Sequence, residues 1–171
     1  MSKEEDVIIN RVAQSKLVTF DLEDYYPSGP RVLLDISQWL FEGIILREKE
    51  FRASVKAHDW SQYKDAFVAV HCSTDAIVPG WAFMLLTVEL SAYAKKVVKG
   101  DLQNLETSLY QSVLENLDLT DFQDKMVIIK GCSKKPVPES AYLLITQQLH
   151  PLVKSLMYGE ACSSVPLFKR K

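Results

Sequence analysis

The sequence predicts an α/β fold: two duplicated strand–Cys loop–helix–strand units on a mixed sheet, with an amino-terminal β-hairpin and helices. Three observations predict it. The apolar runs Ala66–His71 and Met126–Lys130 have strand length, and a long apolar helical pattern follows each. A cysteine, Cys72 or Cys132, stands just past the end of each run. Finally, Val78–Gly100 aligns with Val137–Gly159 without a gap, and eight of the twenty-three residues are identical. The identities include Pro79/Pro138 and Gly100/Gly159, so shared composition alone is the weaker explanation. A strand–helix–strand unit of this kind joins parallel strands by a right-handed crossover.

The elements follow in order. Residues 4–14 have a short helical pattern, with Val7, Ile8, Val12 and Ala13 on one face. Leu17–Tyr25 alternates: Val18, Phe20 and Leu22 point one way, Thr19, Asp21 and Glu23 the other. Pro27-Ser28-Gly29-Pro30 is a turn by residue type, and Arg31–Ile36 reads as the returning strand of a hairpin. Ser37 caps a short helix carrying Trp39, Leu40 and Phe41, which Gly43 ends. Arg47–Ala57 is a charged helix with a solvated face. Pro79 opens a helix reaching about Ala94, Val97 and Val98 form a short strand, and a helix spans Leu102–Leu117. Pro138 opens the second long helix, and Met157–Glu160 closes its unit. The whole chain, residues 1–171, is read as one domain with an internal repeat over approximately 66–101 and 126–160.

Apolar residues make up 47% and charged residues 25%, the balance of a globular chain rather than a disordered one. The net charge of −2 and the lack of a basic face argue against nucleic acid as a partner. The one basic cluster, Lys169-Arg170-Lys171, reads as a solvated tail. No apolar run is long enough for a bilayer, and the polar start Met1–Asp6 is unlike a signal peptide. The expected location is therefore cytoplasmic, with no membrane partner and with Cys72, Cys132 and Cys162 reduced. The helix at Trp81–Tyr93 is apolar on most sides, so it is central or buried in a partner, which leaves a homo-oligomer open.

The candidate site lies in three segments: Cys72-Ser-Thr-Asp-Ala-Ile-Val-Pro79, Cys132-Ser-Lys-Lys-Pro-Val-Pro138 and Cys162-Ser-Ser-Val-Pro166. Cys72 and Cys132 are expected at matched positions, past the carboxyl end of a strand and before a helix. Ligands bind there in open α/β sheets, and the helix dipole favours a thiolate. Cys162 has no counterpart, because Gln103 stands at the matching place after Gly100. Three readings stay open. Cys72, Cys132 and Cys162 can bind zinc or an iron–sulfur cluster, with Asp75 as a fourth ligand and His71 less suited. They can be small thiols packed at strand ends. Or one of them, Cys72 first, can be a nucleophile with His71 or Asp75 nearby.

Other groups carry less. Asp21, Glu23 and Asp24 read as a wet strand face, His58 and His150 stand alone, and Trp39, Trp60 and Trp81 read as core or interface anchors. No glycine-rich phosphate loop, nucleophile elbow or His-Glu-x-x-His signature is present.

Several stretches carry a resemblance: Lys16–Tyr25, Trp39–Gly43, Leu46–Arg52, His58-Asp-Trp-Ser-Gln-Tyr63, Cys72–Pro79, Lys130–Ser133 and Tyr158–Pro166. Through them nearly the whole chain resembles an uncharacterised bacterial family, a domain of unknown function of about this length. The family has no assigned activity, so no catalytic residue carries over. The resemblance implies a partner in iron or sulfur handling, such as iron–sulfur assembly, and so favours the cluster reading.

Overall fold

A computed structural model of the chain describes residues 17–131, 134–160 and 162–171. The expected helix at 4–14 lies outside these. The fold is mixed α/β, and among the described residues it holds four α-helices and two sheets. The chain divides into two compact units. The inner unit is Pro27–Ser112; the outer unit combines Met1–Tyr26 with Val113–Lys171.

The inner unit contains β2 (Arg31–Asp35), α1 (Glu48–Ala57), β3 (Phe67–His71), α2 (Gly80–Leu90) and β4 (Lys96–Lys99), and α3 (Leu102–Leu114) begins in it. Its sheet has the order β2-β3-β4, all parallel. Alternation along β3 explains the layers. Val68 and Val70 join Leu34, Phe51, Val55, Ala82, Leu86 and Leu90 in one core, which places α1 and α2 against one face. Phe67 and Ala69 pack with Leu105 and Leu109 of α3 in the other. A strand covered on both faces reads as a continuous apolar run, and Phe-Val-Ala-Val is one. The helix α2 buries Ala82, Leu86 and Leu90, spaced four apart, on a single stripe.

The outer unit contains β1 (Leu17–Asp21), β5 (Met126–Lys130), α4 (Glu139–Leu149), β6 (Ser155–Tyr158) and β7 (Val165–Lys169). Its sheet has the order β1-β5-β6-β7, with β7 antiparallel. Phe20, Val127, Ile128, Ile129, Ala141, Ile145, Leu149 and Leu156 are buried, and the Phe20 ring stacks on Tyr25 at 4.8 Å.

Two expectations are corrected. There are two sheets rather than one mixed sheet. And β1 and β2 do not form a hairpin: β1 lies parallel to β5, and β2 parallel to β3. The alternation at Leu17–Asp21 identified a strand but could not identify its partner. The short Pro27–Pro30 turn would suit an antiparallel hairpin, so turn length does not identify the partners either. The strand β7 was also unforeseen. It falls on the third cysteine segment and its basic tail, where Arg170 Nη1 pairs with Asp124 at 2.8 Å.

The two units repeat one set of backbone bonds. In the inner unit Asp65 N donates to Tyr93 O, Lys95 N to Ala66 O and Gly100 N to Val70 O. In the outer unit Asp124 N donates to Leu152 O, Lys154 N to Lys125 O and Gly159 N to Ile129 O. Each donor stands 59 residues after its counterpart, as Met126 does after Phe67. Asp65 and Asp124 both have a positive φ, and so do Gly100 and Gly159. No helix among the described residues is long and apolar enough to cross a membrane.

Candidate functional site at the carboxyl end of the inner sheet

Each first strand ends in an aspartate that caps a 3-10 turn. The Asp35 carboxylate accepts Ser37 N at 2.9 Å, as Asp21 accepts Glu23 N at 3.0 Å. Short Asp and Ser side chains close such turns because their oxygens reach amides two residues on. Asp35 does more. It also accepts Ser73 N at 3.1 Å and the Ser73 hydroxyl, and Ser73 Oγ lies 3.1 Å from Ser37 Oγ. The end of β2 is thereby tied to the loop leaving β3. Burial pushes the Asp35 carboxyl up, but the bonds from Ser73 and Ser37 outweigh it and hold it well below the usual carboxylate range.

The loop is held a second time. The Thr74 hydroxyl donates to Gly43 O, and Cys72 Sγ lies 3.4 Å from Thr74 Oγ1. Cys72 is half-buried against the inner core. A cavity of about 340 Å³ opens there, lined by His71, Cys72, Thr74 and Val78, by Phe83 of α2, and by Lys99 and Gly100 at the end of β4. The Lys99 ammonium lies over the Phe83 ring, 4.5 Å from its centre. Residues that carry a thiol, an imidazole, a hydroxyl and a cation thus line one space at the carboxyl ends of parallel strands, where ligands enter α/β sheets.

Within the inner unit the residues expected at the site divide between two spaces. Val70, His71 and Cys72, three successive residues at and just past the end of β3, line the same cavity. Asp75 is exposed and lines a different groove, with Ile44, Ile45, Ile77 and Trp81. Cys162 is an exposed thiol of the outer unit. Cys132 lies outside the described residues. Among those residues no group of three His, Cys, Asp or Glu side chains could hold a metal ion.

The constant spacing of 59 also shifts the match of the cysteines. It pairs Cys72 with Gly131 and Ser73 with Cys132, so the two thiols are one residue out of step. Beside Gly131 the space is taken: a Cβ there would meet the Tyr142 hydroxyl at 2.9 Å and Leu22 at 3.1 Å. Tyr142 in turn meets Tyr158 edge to face at 5.7 Å. These tyrosines stand 59 residues after Phe83 and Lys99. Among the described residues the outer unit therefore has two phenols where the inner unit has Phe83 and Lys99, and a glycine where it has Cys72.

Sequence reasoning missed Asp35, Thr74, Phe83 and Lys99. Asp35 carried a signal, an aspartate ending a strand two residues before a serine, but its bond to Ser73 is tertiary. Lys99 precedes the glycine that ends β4, so its place at the strand's carboxyl end was readable.

The geometry defines a class: an α/β protein with a thiol-bearing cavity at the carboxyl end of a parallel sheet. The chain belongs to the family described as Protein of unknown function (DUF2480), whose model matches residues 6–170. No curated protein and no solved structure matches it.

Proposed function

We propose that the inner-unit cavity is a small-molecule site in which Cys72 is the nucleophile toward an anionic electrophile. The observation that carries this reading is the lining of one cavity by Cys72, His71 and Lys99. Lys99 holds the anionic group of the substrate. The Cys72 sulfur attacks the electrophilic carbon, the leaving group departs with its electron pair, and His71 takes the thiol proton. Phe83 supplies an apolar floor and holds the Lys99 ammonium over its ring. The chemistry needs a reduced thiol, which suits a cytoplasmic setting. The hydrogen bonds shared at one spacing support reading the units as an internal duplication. In that reading the inner copy carries Cys72 at the place where the outer copy carries Gly131.

Iodoacetate and iodoacetamide test the proposal, since they alkylate thiols alike but only the first is an anion. Cys72 should prefer iodoacetate relative to a free thiol, and Lys99→Met should reduce that preference about fivefold, the worth of roughly 1 kcal/mol for an exposed charge contact. His71→Ala should alter the pH profile of the Cys72 rate. An unchanged preference in Lys99→Met would remove the anion site, and slow, ordinary alkylation of Cys72 would remove the nucleophile.

A further inference from the structure

The loop from Cys72 to Pro79 has two working faces. Cys72, Thr74, Ala76 and Val78 line the thiol cavity. Asp75, Ile77 and Pro79 line a separate groove of about 600 Å³. Alternate residues thus line different spaces, and one strip of chain is the wall between the two. The far wall of the groove is Ile44, Ile45 and Leu46, with Glu48 of α1 and Trp81 of α2. The turn bearing Ile44 is closed by its own bonds, Phe41 N to Ile45 O at 2.8 Å and Ile45 N to Phe41 O at 3.0 Å. Thr74 fastens that turn to the loop through Gly43 O.

Three isoleucines face water around this groove: Ile77 is 95% exposed, Ile44 52% and Ile45 48%. A single exposed isoleucine is ordinary, but several converging on one groove mark a surface that something covers. The charges say what kind of guest fits. Glu48 is held by Arg52 at 2.9 Å, and Arg47 by Glu50 at 3.3 Å, so the cations at the rim are already neutralised. Asp75 has no ion-pair partner among the described residues. The rings beside the groove already accept cations of this chain, Arg47 over Phe41 and Arg52 over Trp81. An apolar groove with one uncompensated carboxylate is complementary to apolar side chains flanking a cation.

We infer that the groove docks a partner polypeptide segment in which apolar residues flank a lysine or arginine, and that docking is transmitted to Cys72 through the shared loop. The apolar side chains cover Ile44, Ile45 and Ile77, and the cation meets Asp75. A guest that displaces Ile77 moves a loop whose next residues hold the thiol. The transmitted part rests on Cys72 being the reactive group; the docking part does not.

Two synthetic pentapeptides test this on the full chain, one alternating leucine and lysine, the other leucine and glutamate. The lysine peptide should bind, read as a tryptophan fluorescence change that Trp81→Phe removes, and should change the Cys72 alkylation rate severalfold. Asp75→Asn should weaken its binding about fivefold, in line with roughly 1 kcal/mol for an exposed ion pair. Ile77→Ala should weaken binding as well, and the glutamate peptide should bind far less. No binding, or equal binding of both peptides, overturns the docking inference. Binding that leaves the Cys72 rate unchanged overturns the coupling. The alkylation preference of Cys72 without peptide is measured separately, so failure of the thiol reading is distinguished from failure of the groove.

Discussion

Removing the Asp35 carboxylate should loosen the Cys72 loop and lower stability by an amount that depends on pH. Asp35 accepts three bonds, from Ser37 N, Ser73 N and Ser73 Oγ, and two of them cross from β2 to the loop. A hydrogen bond to a charged group is worth up to a few kcal/mol, and solvent near the partly exposed carboxylate reduces that. Asp35→Ala should therefore cost about 2–3 kcal/mol, and Asp35→Asn, which keeps an acceptor but loses the charge, about 1 kcal/mol. The sign with pH follows from linkage. The folded carboxyl titrates below its unfolded value, so its contribution is complete above the unfolded pKa and is lost as pH falls toward the folded one. With an unfolded value of about 3.9, the gap between wild type and Asp35→Ala should narrow by about 1 kcal/mol between pH 7 and pH 3. Urea unfolding at both pH values measures the gap. Alkylation at pH 7 should also show Cys72 more accessible in Asp35→Ala. A gap below about 0.5 kcal/mol at pH 7, the scatter of ordinary surface substitutions, or one that does not shrink at pH 3, would show that Asp35 does not tie the loop to β2.

Other substitutions test the frame that carries the site. Arg31 and Glu106 pair at 2.7 Å with side chains only 12% and 11% exposed. Glu106→Ala should cost about 3 kcal/mol by urea unfolding, because it leaves the guanidinium largely buried without its carboxylate; Arg31→Met with Glu106→Leu should cost less than that single change. Leu86→Ala removes a fully buried side chain from the inner core and should cost about 3–4 kcal/mol in the same assay. Gly100→Ala should lower the melting temperature, because φ is 135° there and a Cβ would collide with the Asn104 side chain. Asn104 would have to leave its bond to Asp101 N at the start of α3, and the strained backbone adds about 1–2 kcal/mol.

Much of the fold was legible because it is local. The runs Phe67–Val70 and Met126–Ile129 are apolar throughout, as strands buried on both faces must be, and the prolines at 79 and 138 stand at the helix starts. Strand pairing was not legible. Leu17–Asp21 and Arg31–Asp35 each find a partner far along the chain, and alternation says nothing about which. The strand at Val165–Lys169 escaped because Pro166 weakens its pattern; an edge strand tolerates proline where a central one does not. At the site, Cys72 and His71 were legible as residue types at a strand end. Asp35 and Lys99 reach the same region from other strands, which only the sheet order reveals. Asp75 and Cys72 stand three residues apart yet line different spaces, which their separation along the chain does not reveal.

On the proposed reading, the Cys72 cavity selects an anion for a reactive thiol. Peptide-resolved mass spectrometry of one sample treated with equimolar iodoacetate and iodoacetamide tests it most directly, because the exposed Cys162 serves as an internal reference. The expected carboxymethyl-to-carbamidomethyl ratio is several times higher at Cys72 than at Cys162, and falls to the Cys162 value in Lys99→Met. Equal ratios at the two cysteines in the wild-type chain would contradict it.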